Sequence, residues 1–435
     1  MGTTDADFLT SSASILVALV TIIFLLHRTW PHLSQPKVDE VTGSTVITSS
    51  NDSGLTVSKV SDIPEGWWNG RKVFELERRA LFSQTWLYLA HCSQFQKPGS
   101  YQSFDVAGFP VFLIRGKDDK IRAFHNICRH RAYAITRKET GASAILGCRY
   151  HGWSYDSTGR LVKAPHFDDV PGFDKSQNSL FEVHTHNTDQ GMIFMNLNCG
   201  EPAAFGSEVA STLSGFARMA SLEAKSTWVA GQTLSGGFNW KVGARARHLE
   251  VYTSQLHRRM SEVSGPSPVM NLVRSVTRKS TLEEYSLFPT THVYSFRNAD
   301  LCLALSFFPA SESKTNIRFD LFARSAVNEP EIQKMSEVLQ SATKNLIGEI
   351  ELEYQYILSK QGSSGELNNT DTLQILGQLK EHTKLERIEG GQILPAMHNP
   401  EGSTLFQRAE QQLDCVGDGS QNSSQNDTSP NALDW

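Results

Sequence analysis

Two short cysteine–histidine pairs constrain this chain more than any other feature in it. They are Cys128-Arg-His130 and Cys148-Arg-Tyr-His151, with seventeen residues between them. A metal centre that uses both pairs must bring two loops of one small domain together, each offering a thiolate and an imidazole. That donor set suits a two-iron, two-sulfide cluster in which thiolates hold one iron and imidazoles the other. Zinc also accepts two Cys and two His. The histidines of zinc fingers usually form a pair of their own, however, whereas here each follows a cysteine closely. The cluster is therefore the expectation, with Cys128, His130, Cys148 and His151 as its ligands. A chain built this way handles electrons.

Composition agrees and excludes other classes. With 435 residues the chain can fold two modest domains plus appendages. Its formal charge of −5 gives no reason to expect nucleic acid as a partner. Of 6 cysteines, the remaining Cys92, Cys199, Cys302 and Cys415 show no regular spacing, which argues against a disulfide framework and for a reducing compartment. No internal repeat is visible.

The N-terminus makes a separate statement. Residues 8–26 carry no charge, and nineteen helical residues span roughly 28 Å, close to a bilayer's hydrocarbon core. Asp5 and Asp7 precede the stretch with no Lys or Arg, and no small-x-small site follows, so it does not read as a cleaved signal peptide. The expectation is a single-pass transmembrane helix within residues 1–30. Arg28 and Lys37 would place the rest of the chain on the cytosolic side, with the endoplasmic reticulum as the membrane. Residues 31–62, rich in Ser, Thr and Val, read as a tether. Amphipathic helix is expected over 63–85, then short strands and turns forming a small antiparallel barrel to about residue 200. From 201 to 400 helices mix with strands near 290–297, 301–309 and 315–324, and residues 331–358 and 373–385 read as helices. The tail from 401 to 435 turns polar and cannot build a core.

Further residues carry a family resemblance. Ile63-Pro-Glu-Gly-Trp67, Phe82-Ser-Gln-Thr-Trp86, Pro98-Gly99, Gly108-Phe-Pro-Val111 and Phe124-His-Asn126 surround the two cluster loops. Farther on stand Asn239-Trp-Lys241, Ala304-Leu-Ser-Phe-Phe-Pro309 and Asn316-Ile-Arg-Phe-Asp-Leu-Phe322. Together they resemble the alpha subunits of Rieske [2Fe-2S] non-haem iron oxygenases, in the choline-monooxygenase-like branch. The resemblance implies an α+β chain: a small antiparallel β-barrel Rieske domain, then a helix-grip catalytic-type domain. Unlike respiratory Rieske proteins, the loops carry no extra Cys pair, and Trp153 follows His151-Gly152. Fewer supports to the sulfurs imply a lower potential, suited to a separate NAD(P)H-dependent reductase or ferredoxin as donor. The resemblance also implies O2 as co-substrate and a homotrimer.

In that family a mononuclear iron binds two His and one carboxylate. Glu250 fits the acidic position beside the iron, but Thr253 stands where the first His belongs, and His257 lies one residue short of the second. Glu250, Thr253 and His257 share one side of a continuous helix, and His248 points the other way. The expectation is a site on His257 with Glu353 as distal carboxylate, Glu250 acting beside it, and no part for His248. The reaction implied is hydroxylation or demethylation; a membrane-anchored electron carrier with a vestigial iron site is the alternative. Val293, Leu303, Leu305, Phe307 and Phe308 suggest a pocket for a lipophilic small molecule.

Overall fold

Short strands, several of them buried along their whole length, build the first half of the protein. The computed structural model describes residues 63–167, 170–220, 222–244, 246–264, 282–296, 300–324, 326–360 and 370–395. The chain enters through helix α1 (Arg71–Glu77) and a π-helical turn at Arg78–Phe82, which together bury Val73, Phe74, Glu77, Ala80, Leu81 and Phe82. Strands β1 (Leu87–His91), β2 (Ser100–Val106), β3 (Phe109–Arg115), β4 (Ile121–His125) and β5 (Thr140–Ala142) follow. Next come β6 (Ile145–Gly147), β7 (Ser154–Asp156), β8 (Leu161–Lys163), β9 (Glu182–Asn187) and β10 (Met192–Asn196).

These strands form two antiparallel sheets rather than one barrel. The larger runs β1-β10-β9-β4-β3-β2-β5 and the smaller β6-β7-β8. The larger sheet ends at β1 and β5 and does not close on itself. Its Phe112, Ile114 and Phe124 pack against Leu146, Trp153, Tyr155 and Leu161 of the smaller unit. Burying those side chains between two layers removes the need for closure.

The second half is an antiparallel sheet gripped by helices. Its strands are β11 (Thr227–Gly236), β12 (Leu282–Leu287), β13 (Thr291–Phe296), β14 (Leu301–Ser311) and β15 (Lys314–Ala323), in the order β11-β15-β14-β13-β12. Helix α2 (Ser207–Ala220) packs on one face, its Leu213, Phe216 and Ala217 meeting Val293, Cys302 and Ala304. Helices α3 (Trp240–Gly243), α4 (Ala246–Ser264) and α5 (Glu329–Ser359) cover the other. Asn328 caps α5 by accepting from Glu331 N at 3.0 Å, and Glu329 and Glu331 favour the positive end of the helix dipole. A last helix, α6 (Thr370–Glu389), buries Ile375, Leu376 and Leu379 against the first half.

Two expectations need correction. Period-two alternation sends Val293 and Phe308 to cores on the far side of the sheet, so only Leu303, Leu305 and Phe307 face α4 and α5. Among the described residues no helix is long and apolar enough to cross a membrane. The stretch 8–26, on which the transmembrane expectation rested, lies outside the described residues, as do the tether and the tail.

Candidate metal centre

The two cysteine–histidine loops are copies of one backbone design. In the first, Cys128 N donates to Tyr133 O at 2.8 Å and Ala132 N returns to Cys128 O at 3.0 Å. In the second, Cys148 N donates to Trp153 O at 2.7 Å and Gly152 N returns to Cys148 O at 3.0 Å. The fourth residue after each cysteine is left-handed, with φ of 52° at Ala132 and 73° at Gly152. That reversal folds each loop back so that one cysteine and one histidine leave it together. Asn126 closes the neck of the first loop: its Oδ1 accepts from Ile135 N and Thr136 N, and its Nδ2 donates to Thr136 O.

The side chains sort by type. Cys128 and Cys148 are buried, while His130 and His151 lie partly open with ring centroids 4.4 Å apart. Tyr155 braces the loops. Its hydroxyl accepts from Arg129 N at 3.1 Å, which leaves its own proton to the Cys128 sulfur at 3.3 Å. The Cys128 thiol donates to Cys148, which draws Cys148 down to about 6, while the same bond and burial push Cys128 up. Trp153, fully buried, stacks parallel to His130 at 5.1 Å, and Phe167 meets that ring edge-on. Outward, Tyr150 lies 3.9 Å from the His151 ring, Tyr133 stacks on Tyr150, and Arg137 sits over Tyr133.

This arrangement fits two irons better than one ion. Among the described residues no three His, Cys, Asp or Glu side chains converge on a point, as a single zinc would need. Two thiols on one side and two imidazoles on the other are the donor groups a [2Fe-2S] cluster of this type requires.

The second part of the protein places its candidate residues differently from the expectation. Asn239 Oδ1 caps α3 by accepting from Lys241 N, and the next two side chains reach inward: Trp240 Nε1 donates to Glu77 Oε2, and Lys241 Nζ to Glu77 Oε1. On α4, His248 Nε2 meets Glu353 Oε2 of α5. The expected pairing of Glu353 with His257 is therefore corrected. His257 instead stacks on Phe296 of β13 at 5.7 Å, where burial lowers its pKa. The reason lies in how α4 sits. Leu249, Leu256 and Met260 form its buried stripe. The flank carrying His248 and Tyr252 turns to α5, where Tyr252 touches Thr343, and the opposite flank turns to β13. Glu250 is exposed. Thr253 is fully buried and donates to Leu249 O at 2.7 Å, a bond closed within its own helix turn.

One polar group escaped the sequence reading: Glu284 of β12 with His292 and Tyr294 of β13. The available signal was His and Tyr two residues apart on a strand that follows a Glu-bearing strand through a tight turn.

The Rieske [2Fe-2S] domain family matches residues 85–174, which contain both loops. Over 135 residues the chain is 33% identical to a carnitine monooxygenase oxygenase subunit of Acinetobacter baumannii, covering 31% of this chain and 36% of that protein. It is also 38% identical, over 135 residues, to the alpha subunit of 2-aminobenzenesulfonate 2,3-dioxygenase of Alcaligenes sp, covering 30% and 34%. The match thus spans about a third of the length of these relatives. The solved quaternary ammonium Rieske monooxygenase CntA superposes with a TM-score of 0.56 at 19% identity, covering 74% of this chain and 94% of that one. Naphthalene 1,2-dioxygenase superposes at 0.53 and 17% identity, covering 68% and 80%. Both share the fold: a Rieske part followed by an α+β part. These curated relatives come from bacteria, which have no endoplasmic reticulum. With no spanning helix among the described residues, the expectation of a single-pass protein of that membrane is withdrawn.

Proposed function

We propose that this chain, which carries a Rieske [2Fe-2S] domain and the two-part fold of Rieske oxygenase alpha subunits, is an oxidoreductase of that type. It takes electrons from a separate NAD(P)H-dependent reductase or ferredoxin and uses O2 to hydroxylate or demethylate a lipophilic small molecule. In this reading residues 63–200 are the redox domain, residues 201–400 hold the substrate, and the working form is a homotrimer. One observation carries it: two thiols and two imidazoles are brought together in the first part, and the sheet of the second part presents Leu303, Leu305 and Phe307 on its helix-facing side.

Cys128 and Cys148 would hold one iron, and His130 and His151 the other; when bound, the cluster supplies one-electron transfer. Tyr155 supports the Cys128 sulfur with a hydrogen bond, and Trp153 and Phe167 keep water from the His130 ring. The described residues of the second part do not fit a two-His, one-carboxylate iron, because His248 and Glu353 supply one imidazole and one carboxylate only.

That shortfall favours a second reading, a [2Fe-2S] electron-transfer protein with a vestigial mononuclear site. Its observation is Thr253, buried and bonded to its own helix where the family resemblance asks for an imidazole. Iron quantitation on the full chain, together with oxygen uptake under a reductase, separates the two. Three irons per chain with uptake support the oxygenase. Two irons and no uptake, unchanged in Thr253→His, leave the electron carrier.

A further inference from the structure

The helix-facing side of the second sheet is mainly apolar and carries one hydrogen-bonded group of titratable side chains at its β12–β13 edge. Alternation puts His292, Tyr294 and Phe296 of β13 on that side, with Leu305, Leu303 and Leu301 as their Cα partners on β14. Glu284, the partner of Tyr294 on β12, adds a carboxylate. Its Oε1 lies 3.0 Å from His292 Nδ1 and accepts from the Tyr294 hydroxyl at 3.3 Å. Exposure falls steeply inward: the side chain of Glu284 is 43% exposed and that of His292 9%, while Tyr294 is fully buried. The result is a short polar path from solvent into a hydrocarbon core.

Packing alone does not call for this group, since Phe or Leu would fill the same positions without the cost of desolvating an imidazole. The hydrogen bonds define what it offers. With a carboxylate against Nδ1, the proton of the neutral ring sits on Nδ1, and Nε2 is left as an acceptor. Among the described residues, Nε2 has no hydrogen-bond partner. Glu284 stays ionised to hold the tautomer, because the bond from His292 lowers its pKa. Phe307 stands edge-on to the imidazole at 6.4 Å and holds the ring in an apolar wall.

We propose that Glu284, His292 and Tyr294 form a ligand-anchoring site for an apolar molecule bearing one hydroxyl or N–H group, which donates to His292 Nε2. This rests on the reading of the second part as the substrate-holding part, and it narrows the substrate class. Glu284 and Tyr294 are positioning residues: they fix the imidazole and its tautomer, and His292 touches the ligand.

The test uses three probes of one shape on the full chain: 2-naphthol, naphthalene and 2-methoxynaphthalene, followed by equilibrium dialysis. 2-Naphthol should bind about tenfold more tightly than either of the others, the worth of one hydrogen bond in an apolar wall. His292→Phe should erase that preference, bringing 2-naphthol down about tenfold to the affinity of naphthalene in the same variant. Glu284→Leu, at a half-open position, should reduce the preference and guards against a misfolded His292 variant. Equal binding of the three probes, preference for the methoxy compound, no binding at all, or preference retained in His292→Phe would each overturn the proposal. None of these measurements needs a reduced cluster or oxygen. Preference for 2-naphthol without oxygen uptake therefore counts against the oxygenase reading alone, and uptake without preference against this site alone.

Discussion

Lys241 and Glu77 form an ion pair sealed from water: Nζ lies 2.5 Å from Oε1, and the two side chains are 4% and 0% exposed. Glu77 also accepts from Trp240 Nε1 at 2.9 Å, and the ammonium faces the Trp67 ring at 4.6 Å. The Asn-Trp-Lys motif therefore clamps helix α1 to the second part of the protein. Its role here is structural.

Breaking this pair from one side should be costly, because a lone charge would stay buried. Lys241→Met is expected to destabilise the protein by about 3–5 kcal/mol. The double variant Glu77→Gln, Lys241→Met should recover most of that loss. Urea unfolding of the four combinations measures it, and additive losses would show that the two residues are not coupled.

The bond from Tyr155 to the Cys128 sulfur should tune the cluster. Hydrogen bonds to sulfur stabilise the reduced, more negative state, so Tyr155→Phe should lower the reduction potential while keeping the rhombic spin-resonance signal. A potential that holds or rises would remove Tyr155 from this role. Cys148→Ala should lose the signal altogether.

The outer rim of the loops should govern electron entry. Tyr150 is 54% exposed against the His151 ring, and Arg137, Lys138 and Arg149 stand open around it. An acidic donor would be drawn to this face, so Arg149→Glu should slow cluster reduction by a reductase at low salt and flatten its salt dependence. Stopped-flow bleaching of the oxidised cluster reads it; an unchanged rate at low salt would place docking elsewhere.

His125 gives a pH dependence with a defined sign. Burial against the Phe181 ring lowers its pKa to about 4, below the unfolded value of 6.5. Between those values the unfolded chain binds the extra proton, so stability rises with pH through this window and falls as the solution is acidified. From pH 7.5 to 5.5 the loss should be about 1 kcal/mol. It should shrink in His125→Phe, as unfolding midpoints at the two pH values will show.

What the sequence by itself determined was local. Each cluster loop carries its own cysteine, histidine and left-handed reversal within a few residues, so spacing alone exposed the metal chemistry. Strands β13, β14 and β15 were likewise legible as apolar runs, because both faces of their sheet are covered, and helix α5 because burial of one face imposes a helical period. Tertiary structure decided the rest. Helical spacing relates His248, Glu250 and His257 to one another around α4, but it cannot say which flank another helix will take. Packing gave the His248 flank to α5, and so to Glu353, 105 residues away, and left His257 to Phe296. The Glu284–His292–Tyr294 group had the same origin: strand register, which depends on partners distant in the chain, brought its three members to one side of the sheet.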